Sequence, residues 1–156
     1  MEIASRSRNL MIAVSVVVTL AAIGGWIFHW YPQYWWFDLV LHTSAGFAVS
    51  LALGLLLYGT VLTGLIDQPG LLVLTIALLG LALGACWEIG EFSLAGIFDP
   101  GFVSRADTVT DLMVDALGAG GGALLSVSLL RKSQSNRRQN NRSKIVSMEE
   151  RRQSIR

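Results

Sequence analysis

Asp38 and His42 stand four residues apart, Glu88 and Glu91 three apart, and Asp107, Asp111 and Asp115 follow one another in steps of four. Each set lies inside or at the end of a stretch apolar enough to cross a bilayer. Residues three or four apart share one side of a helix, so each stretch can aim two or more oxygen or imidazole ligands at a common point. An ionised side chain at the bilayer centre costs at least ~3 kcal/mol, which makes such residues functional candidates. Each carboxylate also raises the cost of the next unless a cation or a proton joins them. The nearest physical analogue is the carboxylate–histidine site in the core of a helical bundle. Oxygen ligands suit Mg²⁺, Ca²⁺ or Mn²⁺, and the single imidazole leaves Zn²⁺ or Fe²⁺ open. The expected divalent-cation ligands are Asp38, His42, Glu88, Glu91, Asp107 and Asp111, with Asp115 and Arg105 as further polar members.

Each residue also has a plainer reading. His42 alone reads as a hydrogen-bonded interior histidine, and Asp38, Glu91 and Asp107 as interfacial groups reaching water. Asp111 could pair with Arg105. Number decides against the plain reading of the whole set, because five or six carboxylates at one depth face a single Arg, Arg105.

The elements that must position these residues follow from hydropathy. The chain is 53% hydrophobic, which places its 156 residues in the membrane class within the size of one domain. Residues 10–28 are uncharged and long enough to span a ~30 Å hydrocarbon core. Arg6 and Arg8 precede that run, but Gly24-Gly25-Trp26-Ile27 offers no small-x-small cleavage site, so it reads as a retained helix. The aromatic cluster from Trp30 to Trp36, broken by Pro32, suits a turn at the membrane interface. Further helices are expected over about 37–58, 71–94 and 107–130, joined by connections at 59–70 and 95–106. Beyond residue 130 the Ser, Asn, Gln and Arg-rich chain cannot bury a core and is expected to be a disordered basic tail.

The expected fold is therefore all-α, an integral membrane bundle of four transmembrane helices. Its parts are an N-terminal segment at 1–9, the helical domain at 10–130 and the tail at 131–156. Eleven of the twelve Lys and Arg lie in the two termini, which assigns both termini to the cytoplasm. The second helix then begins, the third ends and the fourth begins at the outer face. At 1.5 Å per residue His42 lies about 6 Å deeper than Asp38, and Glu88 about 4.5 Å deeper than Glu91. All seven ionisable residues fall in the outer half.

Smaller features have structural readings. Cys86, the single cysteine, excludes an internal disulfide and reads as a small packed side chain. Gly80 and Gly84, and Gly118 and Gly122, have the small-xxx-small spacing of close helix contact. The basic tail reads as a topology signal with anionic-lipid contact, not as a nucleic-acid surface. No phosphate loop, nucleophile elbow, HExxH or paired CxxC is present.

Three motifs occur in order: Phe37-Asp38-(x3)-His42-(x3)-Gly46-Phe47, then Trp87-Glu88-(x2)-Glu91-Phe92, then Asp107-Thr108-(x2)-Asp111-Leu112-(x5)-Gly118-Ala119. Together, over about residues 35–122, the chain resembles the YjdF-like bacterial membrane proteins, an uncharacterised family. More distantly it is similar to the VanZ-like group, which is associated with glycopeptide-antibiotic resistance. The resemblance adds Thr108 to the polar positions and implies a cell-envelope role. Two positions depart from the family pattern. Asp115 stands where Asn is common, and Ser104-Arg105-Ala106 replaces a frequent Gly-Asp.

Three functions are compatible with these residues. A metal-dependent membrane hydrolase would use Glu88 or Glu91 as general base toward a water beside the cation, acting on a lipid or lipid-linked envelope substrate. A carrier would bind a cation or protonated solute near the outer gate. Because no inverted repeat is present, a carrier would need a homo-oligomer. A structural or partner-binding protein would use the same cluster only to hold helices together. In each case the chain is a multi-pass protein of the cell membrane.

Overall fold

The computed structural model describes residues 2–60, 66, 68–98 and 105–154. Five helices occur in it: α1 (Glu2–Ile27), α2 (Trp30–Gln33), α3 (Trp35–Thr60), α4 (Pro69–Phe98) and α5 (Arg105–Ser154). Four of them are long and apolar enough to cross a membrane, with spans at Arg8–Ile27, Trp35–Leu57, Pro69–Ser93 and inside α5. No strand occurs among the described residues. The expected all-α bundle of four spans is thus present. Asp67 and Asp99, in the expected connections, lie outside the described residues.

α3 is the centre of the bundle, packing against α1, α4 and α5, and its longest seam is with α5. Close packing of that seam follows from small residues. A side chain at Gly118 or Gly122 would strike the α3 backbone, at the carbonyls of Thr43 and Phe47 respectively. Without hydrophobic drive between helices in lipid, such bare positions let van der Waals contact hold them together. Buried positions on α5 include Asp111, Asp115, Gly118, Ala119, Gly122, Ala123, Ser126 and Val127, a stripe of helical period. Toward the far end, Leu72 and Ile76 of α4 pack with Ala123 and Val127 of α5 as an apolar cluster. Large apolar side chains such as Leu20, Leu74, Leu83, Met113 and Leu117 point outward, as a lipid-facing surface requires.

The structure differs from expectation in three places. First, the turn after α1 contains a helical turn of its own. His29 adopts a left-handed φ of 55°, which reverses the chain into α2. The Tyr31 ring then stands edge-on to Phe37 at 5.2 Å, and Trp30 does so at 5.5 Å. Each such pair is worth about 0.5–1.5 kcal/mol beyond area burial, so the aromatic cluster docks α2 onto the start of α3. Second, α5 does not end near residue 130. It continues to Ser154, so the segment expected to be disordered is an exposed helix over its described length. Propagating an existing helix fixes one residue at a time without a new nucleus. No Gly or Pro follows Gly122 to stop it, and Arg, Lys, Gln and Glu are good helix formers. Third, Cys86 is exposed on α4 and not packed in the bundle.

Candidate functional site

The start of α3, the end of α4 and the start of α5 meet at one end of the bundle, and most of the expected polar residues gather there. His42 is the centre. Its Nε2 lies 3.8 Å from Asp38 Oδ1, one turn back on α3. Its Nδ1 lies 3.6 Å from Glu88 Oε1 of α4 and 3.5 Å from Asp115 Oδ1 of α5. Two overlapping groups of potential ligands result: Asp38, His42 and Asp111, and His42, Glu88 and Asp115. Within each group one atom per residue lies within 4.8 Å of the other two, close enough for a single ion to bridge them.

Burial grades the site. Asp38 is half-buried at the mouth, whereas Glu88, Asp111 and Asp115 are only 3%, 4% and 3% exposed. Glu88 Oε1 and Asp111 Oδ1 are buried and accept no hydrogen bond among the described residues. A buried carboxylate oxygen without a donor is costly, and a cation is one group that removes the cost. The hydroxyl of Thr108 is likewise buried without a hydrogen-bond partner among the described residues, one turn before Asp111. Thr43, beside His42, donates its hydroxyl to the Leu39 carbonyl at 2.8 Å.

Asp115 is held on two sides. A β-carbon at Gly46 would lie 2.7 Å from the Asp115 carbonyl oxygen, and one at Gly84 would lie 2.5 Å from Asp115 Oδ2. The glycines therefore let α3 and α4 close around this acid. Beneath it, fully buried Ser50, Leu51 and Ile76 fill the next layers.

Of the ligands expected from sequence, Asp38, His42, Glu88 and Asp111 converge. Glu91 and Asp107 do not enter either group of three. Glu91 is half-buried, and its Oε2 accepts a hydrogen bond from the Trp87 indole at 3.1 Å, on the lipid-facing side of α4. Asp107 is exposed in the first turn of α5, and Arg105 is exposed at its first residue. Asp115, expected as a further polar member and not as a ligand, stands in the group with His42 and Glu88. Successive steps of four residues advance about 40° around a helix, so Asp107 and Asp115 differ by about 80°; Asp107 stands exposed in the first turn while Asp115 lies in the buried stripe. The α5 stripe formed with Gly118 and Gly122 was the signal that marks the inward face, and it includes Asp111 and Asp115.

Above the mouth, the Tyr31 phenol of α2 is pushed above its ordinary pKa, chiefly by burial, then by the Asp38 and Glu91 carboxylates. The phenol therefore lies within electrostatic reach of the Asp38 and Glu91 carboxylates.

The chain was compared with protein families, curated proteins and solved structures. A family model described as Predicted membrane protein (DUF2238) matches residues 5–133. No curated protein and no solved structure matches. The chain belongs to the DUF2238 family of membrane proteins, which is the YjdF family. Nothing in these comparisons bears on the VanZ-like likeness.

Proposed function

Within that family of membrane proteins, we propose that this chain binds a divalent cation at the mouth of its bundle, on Asp38, His42 and Asp111, on the extracytoplasmic side. The observation that carries the reading is Asp111 Oδ1, buried without a hydrogen-bond donor in a group with His42 and Asp38. A hard cation such as Mg²⁺, Mn²⁺ or Ca²⁺ fits two carboxylates, and the imidazole also admits Zn²⁺. Asp107 and Glu91, at the rim, draw cations toward the mouth by charge. The extracytoplasmic placement follows from the basic termini, which hold 11 of 12 Lys and Arg.

The finer reading is that the bound cation serves a reaction on a lipid-linked envelope substrate. Supporting it, Glu91 lies at the lateral edge of the site, joined to a Trp87 that is 67% exposed on the lipid-facing surface. An amphiphile could bring its headgroup to that edge without leaving the bilayer. Glu91 or Glu88 would serve as general base there, and the cation would supply charge stabilisation. A carrier reading has less support, because Leu51 and Ile76, both fully buried, close the bundle beneath Asp115.

Binding is tested by thermal unfolding of the purified full chain with Mg²⁺, Mn²⁺, Ca²⁺ or Zn²⁺. An ion at about 100 times its Kd stabilises by about 2.7 kcal/mol, and His42→Ala, which removes the imidazole common to both groups, is expected to abolish that gain. No stabilisation by any of the four would contradict the reading. The envelope role is tested with His42→Ala cells challenged by envelope-active antibiotics and by metal excess. Antibiotic sensitivity alone supports a substrate reaction, and a metal phenotype alone supports a carrier. Lost protein abundance with neither phenotype supports a structural role.

A further inference from the structure

His42 presents its two ring nitrogens to different acids. Nε2 looks toward Asp38 and Nδ1 toward Glu88 and Asp115. Two pairs of acids, each completed by His42, form groups with bridging distances: Asp38 with Asp111, and Glu88 with Asp115. Each group also contains one buried carboxylate oxygen that accepts no hydrogen bond among the described residues. It is Asp111 Oδ1 in the first and Glu88 Oε1 in the second. Their side chains belong to residues more than nine-tenths buried. The two orphaned oxygens are independent, since they come from different helices.

We propose that His42, Glu88 and Asp115 form a second divalent-cation position, deeper than the first, and that the two positions are filled alternately. The inference rests on the cation reading above. Each position has two carboxylates, whose charge matches one divalent ion. The shared imidazole enforces the alternation. A neutral imidazole has one nitrogen with a free lone pair and one N–H, so only one of its sides can ligate. With the ion at the mouth, Nε2 ligates and the Nδ1–H donates to Asp115 or Glu88. That is the carboxylate support a ligating histidine ordinarily has. With the ion at the deeper position, Nδ1 ligates and the Nε2–H turns to Asp38. No movement of the ring is needed, because a tautomer exchange swaps the two states. The mouth position, with half-exposed Asp38, exchanges ions with water. The deeper one, bounded by residues that are almost wholly buried, retains them.

The test is a Mn²⁺ titration of the purified full chain, read by the loss of the free-ion electron paramagnetic resonance signal. Wild type is expected to bind one Mn²⁺ per chain. The Asp38→Asn, Asp111→Asn variant is expected still to bind one, at the deeper position. The Glu88→Gln, Asp115→Asn variant is expected to bind one at the mouth. A folded Asp38→Asn, Asp111→Asn variant that binds none, beside a wild type that binds one, overturns the second position and leaves the cation reading standing. Two Mn²⁺ per wild-type chain overturns the alternation. No binding by wild type overturns the cation reading itself. Should the double variants aggregate, anomalous scattering from Mn²⁺-loaded wild-type crystals decides. Two partly occupied peaks are expected on opposite sides of the His42 ring, roughly 6 Å apart from metal–nitrogen bonds of about 2 Å on each side. A single peak on either side overturns the proposal.

Discussion

Gly84 of α4 faces the carboxylate of Asp115 on α5 so closely that a β-carbon there would lie 2.5 Å from Oδ2. The acid and the glycine define each other: without the bare α-carbon, Asp115 could not stand beside His42 and Glu88.

Gly84→Ala is therefore expected to displace the Asp115 carboxylate. Overpacking of this kind costs about 1–3 kcal/mol, and a carboxylate end can yield, so the loss should fall at the lower end. Gly118→Ala meets the Thr43 carbonyl and the Phe47 backbone nitrogen, which cannot yield without separating α3 from α5. Thermal unfolding in detergent should rank Gly118→Ala as the more damaging. The opposite order would mean that the α3–α5 seam is looser than described.

Glu91 and Asp111 should separate in cation binding. In the Glu88→Gln, Asp115→Asn background, which leaves only the mouth position, Asp111→Asn removes a ligand and is expected to weaken binding by more than the 10–100-fold typical of losing a supporting partner. Glu91→Gln removes only rim charge and should weaken it less, with the loss shrinking as salt is raised. Calorimetric titrations at two ionic strengths compare them. Equal losses would place Glu91 in the ligand set.

Tyr31 offers a readout of the mouth outside the spans. Burial raises its pKa first, and the Asp38 and Glu91 carboxylates raise it further. A folded pKa above the unfolded one favours the neutral phenol when folded. That contribution is complete below the ordinary value near 10.0 and fades as pH climbs through the raised pKa. Asp38→Asn should lower the Tyr31 pKa without returning it to the ordinary value. Ultraviolet tyrosinate titration with Tyr34 and Tyr58 replaced by Phe checks this. No change on Asp38→Asn would mean that Tyr31 lies beyond the electrostatic reach of Asp38.

Reporter fusions test the orientation. A fusion after Arg131 should report the cytoplasm and one in the 95–106 connection the opposite side. Agreement between the two would overturn the four-span count or the sidedness.

Much of this molecule was legible in its sequence because its lipid-spanning elements announce themselves by uninterrupted apolar length. The pairing of Asp38 with His42 was equally readable, since spacing on one helix fixes a shared face. The identity of the inner residues on α5 was less so. Spacing alone joins Asp107, Asp111 and Asp115, and only packing against α3 decides that Asp115 faces inward while Asp107 stays at the rim. Glu91 shows the same limit on α4, where Trp87 captures its carboxylate at the lipid-facing edge. The helical course of α5 through Ser154 was missed because a polar composition argues against a packed core but not against extension of a helix already nucleated.

Elemental analysis of purified, monodisperse protein is the most direct measurement of the central claim, with wild type beside the Asp111→Asn, Glu88→Gln double variant. The account predicts close to one divalent ion per wild-type chain, and a reduced metal content in the double variant, which breaks both groups. A folded, monodisperse wild type that carries no divalent metal and takes none up on dialysis against Mg²⁺, Mn²⁺, Ca²⁺ or Zn²⁺ would contradict it.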